Sequence, residues 1–206
     1  MKMKFLSAVA LVATLLTSCG ETTTTEVGTA LNDSTATVYN VDLAASKVNW
    51  KGEVAGVYGH NGYVNFKSGT LQVNDSGLVG GELVVDLTNI VPLDSASYTA
   101  EKGHGITDLQ GHLSKGDFFL TDSFPTSTFV ITKVEGKTVK GNLTVKGKTN
   151  EETLNIESFE NKDGVVTASG KLVFNRQKYG VSWVHFMKDM ILSDDIQLNI
   201  SLTAKK

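Results

Sequence analysis

The stretch IQLNISLT, residues 196–203, alternates apolar and polar side chains without exception. Successive side chains of a β-strand point to opposite faces, so this stretch predicts a strand with one apolar face and one wet face. The stretch VKGNLTVKG, residues 139–147, alternates in the same way. Similar short runs occur at residues 47–54, 63–73, 81–87, 127–134, 152–158 and 165–175. The sequence therefore predicts an all-β domain.

Turn residues separate these runs. The stretches NDSG, residues 74–77, and NKDG, residues 161–164, have the chemistry of hairpin connections. The whole chain contains only 2 prolines, so few strands are interrupted. Many short strands at regular spacing, each with one apolar face, favour an antiparallel sandwich or a closed barrel.

The region between Pro92 and Pro125 breaks the strand rhythm. Asp94 and the residues after it have helix-starting chemistry, and Ile106, Leu109 and Leu113 lie three and four positions apart. We expect one or two short helices here, packed over one end or side of the sheet. The apolar FFL at residues 118–120 is expected to anchor the end of this insertion.

The N-terminal region has the pattern of an export signal. Lys2 and Lys4 precede an apolar run at residues 5–16, and the chain's only cysteine follows at position 19. This pattern predicts a signal peptide over residues 1–18, since the apolar run is shorter than the ~20 residues of a membrane span. The residues LTSC, 16–19, also resemble the bacterial lipobox, which implies lipidation of Cys19. The alternative is an ordinary signal peptide with an incidental cysteine.

Residues 19–37 are rich in Thr, Glu, Asn, Asp and Ser, and their few apolar residues have no regular spacing. Such a composition predicts a flexible Thr-rich tether, followed by one folded domain over residues 38–206. We expect an exported lipoprotein of the bacterial cell envelope that faces the periplasm. Gly20 after the cysteine is compatible with sorting to the outer membrane under the enterobacterial rule.

Charge and motif content exclude several function classes. Without Lys2 and Lys4, 17 basic residues remain against 22 acidic ones, a net charge of 17 − 22 = −5. This mildly acidic protein lacks the basic footprint of a nucleic-acid binder. The sequence has no nucleophile elbow, phosphate loop or dinucleotide fingerprint, so we expect no enzyme and no cofactor. The histidines at positions 60, 104, 112 and 185 lack metal-ligand spacing, so we expect no metal.

Four motifs carry a resemblance to a known family. They are, in order, GHNG at 59–62, GHLSKGDFF at 111–119 with SFPTSTF at 123–129, VKGNLTVKG at 139–147, and FNRQKYG at 174–180. Together they resemble the YceI-like family of polyisoprenoid-binding, lipocalin-like proteins, and the resemblance covers nearly all of residues 38–206. It implies an exported, antiparallel eight-stranded barrel with a short helical insertion. It also implies a long isoprenoid or other long-chain lipid, such as a quinone or a polyprenyl phosphate, as the ligand.

An apolar barrel interior suits such a ligand, because a hydrocarbon chain binds through the area it removes from water. The candidate ligand-binding residues are Trp50, Phe66, Phe118, Phe129, Leu143, Phe174 and Arg176. Large apolar strand residues are also ordinary core residues, so each of them has both interpretations. Arg176, the only arginine, could meet a ligand head group or could close a turn through a carboxylate or backbone carbonyl.

The sequence is compatible with two functions. One is a lipid-anchored barrel that binds an isoprenoid-like molecule for transport, storage or sensing, without transforming it. The other is a non-catalytic envelope stress or protein-interaction module whose barrel is filled by its own side chains. The volume of the barrel interior distinguishes the two functions, because a ligand-binding barrel needs a cavity and the interaction module has none. An exposed barrel edge would favour a homodimer.

Overall fold

The computed structural model describes residues 28–54, 58–94, 105–184 and 191–206. The predicted signal peptide, Cys19, His104 and His185 lie outside these ranges. Within them the chain forms a ten-stranded sheet and one α-helix. The strands are β1 Thr37–Val41, β2 Lys47–Val54, β3 Tyr58–Asn74, β4 Gly77–Asp86, β5 Val91–Pro92, β6 Thr126–Glu135, β7 Thr138–Val145, β8 Lys148–Lys162, β9 Val165–Asn175 and β10 Asp195–Lys205; the helix is α1 Ile106–Leu113.

Eight of the strands close into an antiparallel barrel, in the order β10-β2-β3-β4-β6-β7-β8-β9. The barrel closes because β9 pairs with β10 along its whole length, from Asp195 opposite Asn175 to Lys205 opposite Val165. The expected eight-stranded barrel with a short helical insertion is confirmed, and the sandwich is excluded. The eight alternating runs of the sequence lie on these eight strands.

One barrel position is shared by two strands. β2 lies between β10 and the first half of β3, with Lys47 opposite Asn65 as its last pair. β1 continues this position between β10 and the second half of β3, where Thr37 pairs with Val73. The wall therefore stays closed where β2 begins.

The barrel has two ends of different construction. Short hairpins connect the strands at one end, where the β8–β9 turn has positive φ at Asp163 (51°) and Gly164 (78°), as a type I′ turn requires. Long connections lie at the other end, between β4 and β6 and between β9 and β10. We call the half next to the short hairpins the filled half and the half next to the long connections the hollow half.

The filled half contains a packed core. Its inward side chains are buried and contact one another across the barrel: Tyr39, Val41, Leu71, Val73, Ile131, Val139, Val166, Leu202 and Ala204. In the hollow half, inward and outward side chains alternate along the strands in the same way, but the inward side chains surround a cavity.

Helix α1 lies over the hollow half. Leu109 and Leu113 face the barrel interior, and Gln110 Nε2 donates to the carbonyl oxygen of Ile90 at 2.9 Å. The expected helix is confirmed at Ile106–Leu113, although Ile106 is exposed rather than packed with the two leucines. The predicted helix start after Asp94 falls on residues 95–104, outside the described residues. No helix in the described part of the chain has the length and hydropathy needed to cross a bilayer.

Residues 28–36, part of the predicted tether, lie on the outer wall of the barrel. The amide of Asn142 pairs with the backbone of Gly28 in both directions, at 3.2 and 2.6 Å, which explains why this outward side chain is buried. Leu31 N donates to Ile131 O at 3.2 Å, just beyond the last β4–β6 pair, Glu82 with Val130. We call residues 28–36 the strap. Residues 19–27 lie outside the described residues, and their role as a tether stays a prediction.

Candidate functional site

The hollow half encloses a cavity of about 710 Å³. Ligand pockets in proteins commonly measure about 300–1,000 Å³, so this volume is ample for a small molecule or a folded hydrocarbon chain. Strand residues that alternate inward form its side wall, and α1 with the connection after it covers its end. The lining is predominantly aliphatic and aromatic. The interior is therefore open and apolar rather than filled.

A floor separates this cavity from the filled half. Leu83, Phe129, Leu154 and Ile200 line the large cavity on one side and a void of about 50 Å³ on the other. The ring of Phe129 lies directly over Gly141, where a Cβ atom would come within 2.4 Å of Phe129 Cζ. A glycine at this position lets the ring cross the barrel.

The structure brings all the predicted ligand-binding residues together. The cavity is lined by Trp50, Phe66, Phe118, Phe129, Leu143, Phe174 and Arg176. Phe66, Phe129, Leu143 and Phe174 are also members of the hydrophobic core. The two interpretations of these residues are therefore compatible, because one side chain packs on its neighbours and still faces the lumen. Their contact with a ligand stays a prediction.

Sequence reasoning missed the residues at the open end of the cavity. His60, Asp108, His112, Val181, Trp183 and Leu192 also line it. Most of them lie on α1 or on the long connections, where no strand periodicity marks an inward position. The aromatic residues near the helix were the one feature of the sequence that could have indicated a contribution of this region to the site.

An aromatic cluster stands at this end. The His112 ring packs edge-on against Phe118 and Trp183, with ring centroids 4.9 and 5.2 Å away, and the Phe118 and Trp183 centroids are 5.6 Å apart. His112 Nε2 also lies 3.5 Å from Asp117 Oδ2. These contacts connect α1 to the β9–β10 connection.

The two described histidines are each paired with an aspartate. His60 Nδ1 lies 2.7 Å from Asp94 Oδ2, while the backbone N–H of Asn61 donates to Asp94 Oδ1 at 3.3 Å. This pair connects β3 to the segment after β5. Among the described residues, no three His, Cys, Asp or Glu side chains form a group that could hold a metal ion.

Arg176 braces the open end. Its Nε donates to Ser193 O at 2.9 Å, Nη1 to Val181 O and Trp183 O at 2.7 and 3.1 Å, and Nη2 to Leu192 O at 3.3 Å. Nη2 also lies 3.3 Å from Asp194 Oδ1. Burial lowers the pKa of the guanidinium, and Asp194 opposes that shift. A guanidinium has five N–H donors, so protein acceptors can occupy all of them, as the turn-closing interpretation requires.

The turn that carries Arg176 is fixed from its other side by Tyr179. The fully buried Tyr179 hydroxyl donates to Glu152 Oε1 on β8 at 2.9 Å. Burial, and next the bond to Glu152, raise the pKa of Tyr179 well above its ordinary value, so the phenol stays protonated as a donor. The 3₁₀ turn Arg176–Tyr179 ends at Gly180, whose φ of 70° suits glycine.

Trp50 lines the cavity with its ring, whereas its polar atom is closed to the lumen. Its indole Nε1 is buried and has no hydrogen-bond partner within the described ranges. A buried donor without an acceptor costs about 1–3 kcal/mol, so it is an exception to be explained. Because this atom has no accessible surface, the ring of Trp50 and not its N–H is the part that a ligand in the lumen would meet.

Comparison with known proteins identifies the family. The family model described as "YceI-like domain" matches residues 39–204, which is most of the chain. The chain belongs to the YceI-like family. The matched range contains all eight barrel strands, α1 and the Arg176–Tyr179 turn.

Curated relatives of this YceI-like chain include a UPF0312 protein of Staphylococcus aureus strain USA300. It is 37% identical over 102 residues, and the match covers 44% of this chain and 57% of the relative. The corresponding protein of strain MRSA252 is 37% identical over 98 residues with the same coverage. The chain thus spans little more than half the length of these relatives.

Two solved structures share the fold. The crystal structure of Burkholderia cenocepacia BcnA has a TM-score of 0.61 and 22% identity, and the match covers 80% of this chain and 99% of BcnA. A polyisoprenoid-binding domain from Saccharophagus degradans, implicated in plant cell wall breakdown, has a TM-score of 0.53 and 14% identity, with coverage of 81% and 97%. At this identity the likeness supports the barrel fold.

Proposed function

We propose that this YceI-like barrel binds a long apolar ligand of the isoprenoid type and does not transform it. The observation that carries the proposal is the cavity of about 710 Å³ in the hollow half, because its lining is predominantly apolar. The polyisoprenoid-binding domain of Saccharophagus degradans has the same fold, which adds support. The alternative, a filled barrel that only contacts other proteins, agrees less well with this volume.

The cavity volume limits how much ligand is enclosed. If a chain carbon takes about the 30 Å³ that one water occupies in the liquid, 710 Å³ holds roughly 24 carbons. We expect the tail of a prenyl quinone or a polyprenyl phosphate to occupy the lumen up to that length. The rest of a longer ligand extends through the open end.

Binding without chemistry is consistent with the polar groups of the cavity. Arg176 donates to backbone carbonyls, and the aliphatic and aromatic side chains that predominate in the lining have no proton to exchange. A general acid or base must reach the reacting atoms with a proton to exchange. We therefore propose a carrier, store or sensor rather than an enzyme.

We further propose that the protein is exported and held at a bacterial membrane, at the outer membrane in particular, through lipidated Cys19. The sequence LTSC at residues 16–19 supports this. Cys19→Ala should move the protein from the membrane fraction to the soluble fraction and leave the melting transition unchanged. A variant that still sediments with membranes would contradict lipid anchoring.

Ligand binding is tested with the full chain purified from bacterial envelopes. Native mass spectrometry followed by organic extraction should reveal a stoichiometric prenyl lipid, and the stripped protein should take up added prenyl quinone. Leu198→Trp, which places a larger ring in the lumen, should weaken uptake. Val173→Trp on the exposed outer face of β9 is the matched control and should leave uptake unchanged.

Two results would contradict this function. One is a stripped protein that binds neither prenyl quinone nor polyprenyl phosphate. The other is a Leu198→Trp variant that binds as well as the Val173→Trp control, because the ligand would then lie outside the lumen.

A further inference from the structure

Large apolar side chains are exposed around the open end of the hollow half. Val184 is 77% exposed and Ile191 is 68% exposed, and both lie in the β9–β10 connection. Leu93 follows β5, Ile106 begins α1, and Tyr58 begins β3 and lines the cavity. We call these five residues the mouth rim. An apolar patch around a cavity opening marks an interaction surface more strongly than scattered exposed residues do.

The strap shows on which side the N-terminal part of the chain leaves the barrel. Asp33 lies near the hairpin end of β3, where Asn74 Nδ2 donates to its Oδ2 at 3.0 Å. Gly28 lies at mid-height, paired with Asn142 of β7. From Asp33 back to Gly28 the strap therefore rises from the filled end toward the open end.

The remaining chain is long enough to continue past the mouth rim. Asn142 is three residues from the end of β7 at Val145, which is about 10 Å along a strand. Eight residues lie between Cys19 and Gly28, and the nine Cα–Cα steps across them reach about 30 Å at full extension. A lipid on Cys19 can therefore lie beyond the mouth rim, on the same side as the opening.

We propose that the barrel docks with its open end on the bilayer, so that the mouth rim enters the lipid interface and the cavity opens directly to the membrane. This orientation rests on the lipid anchor proposed above. The occupant is a lipid surface, because the apolar rim, the apolar cavity and the rising strap all meet at one end. Apolar side chains at such an interface enter about 5–10 Å into the headgroup and acyl boundary. A long ligand then passes between membrane and lumen without crossing water.

The intrinsic tryptophan fluorescence of the full lipidated chain can report this orientation. The protein has 2 tryptophans, and Trp50→Phe leaves Trp183, which belongs to the aromatic cluster and directly precedes the exposed Val184. The probe is a phosphatidylcholine vesicle with brominated acyl chains. We expect the Trp183 emission to fall by about half or more on brominated relative to unbrominated vesicles, since interfacial side chains reach the acyl boundary.

Paired variants separate docking from anchoring. Val184→Glu and Ile191→Glu should restore the Trp183 emission, whereas Val38→Glu, at an exposed position of β1 in the filled half, should leave the quenching intact. Asn142→Ala should weaken quenching by loosening the strap, and Asn199→Ala on the exposed face of β10 is its control. All of these variants should sediment with vesicles.

The outcomes distinguish the two proposals. Protein that sediments with vesicles without quenching of Trp183 would overturn the docked orientation and leave the lipid anchor standing. Protein that does not sediment would overturn the anchor and, with it, this orientation. Equal restoration by Val184→Glu and Val38→Glu would show that the mouth rim is not the contact surface.

Discussion

The filled and hollow halves of the barrel share the same strands, yet inward side chains fill only one of the two halves. Leu202 and Leu198 show the difference, because both are leucines on the inner face of β10. Leu202 is buried in the core of the filled half, whereas Leu198 is partly exposed in the cavity wall. Alternation thus places side chains inside the barrel, but it does not determine whether they meet across it.

The two halves are also stabilised differently. The filled half is stabilised by packing of apolar side chains, with Val139 and Val166 almost completely buried. The open end of the hollow half depends on polar braces, such as Arg176 with its carbonyl acceptors and Lys146 Nζ, which donates to Gly116 O and Gly180 O. These hydrogen bonds add to the packing at the open end and help to hold the edge of the cavity.

Removal of the Arg176 brace should have the largest effect. Arg176→Ala should lower the free energy of unfolding by about 3–5 kcal/mol, because several buried carbonyl oxygens lose their donor at about 1–3 kcal/mol each, not fully additively. Urea denaturation gives the value. Arg176→Lys, which keeps one charge but fewer donors, should show an intermediate loss. Unchanged stability with reduced ligand affinity would instead make Arg176 a head-group contact.

Truncation of the two leucines of β10 should lower the free energy of unfolding by different amounts in the two halves. Leu202→Ala should cost about 2–5 kcal/mol, because it opens a void in a packed core. Leu198→Ala should cost clearly less, since its side chain already faces the cavity. Ligand affinity should instead fall more for Leu198→Ala than for Leu202→Ala. Equal losses of stability in urea denaturation would mean that the hollow half is packed in solution.

The floor between the halves should respond to a single methyl group. Gly141→Ala brings a Cβ atom within 2.4 Å of Phe129 Cζ and 2.7 Å of Val130 O, so it should cost about 1–3 kcal/mol. Gly111→Ala in α1 is the control, because no heavy atom lies within 4 Å of its new Cβ. That change should stabilise the protein by about 0.5–1 kcal/mol through helix propensity. Thermal melts of the two variants would measure both effects. A neutral Gly141→Ala would show that Phe129 does not pack tightly over Gly141.

Much of the fold could be predicted from the sequence, because a strand with one wet face leaves an alternating pattern. β1 was missed as a strand, since TVYNV follows a Thr-rich stretch without a clear period, and β5 is only two residues long. Five of the predicted ligand-binding residues line the cavity because they are large inward side chains of barrel strands: Trp50, Phe66, Phe129, Leu143 and Phe174. Phe118 and Arg176 reach the cavity from the connections. His112 and Trp183 were missed because loop packing brings them there.

The smallest effect is expected at Trp50. Trp50→Phe removes an indole N–H that has no acceptor in the described part of the chain, so the free energy of unfolding should stay the same or rise slightly. Because the Nε1 atom is buried and closed to the lumen, the affinity for prenyl quinone should stay nearly unchanged. Calorimetric titration of the wild type and the variant measures it. A clear loss of affinity for prenyl quinone, but not for a fully hydrocarbon ligand, would show that a ligand oxygen does reach the indole N–H.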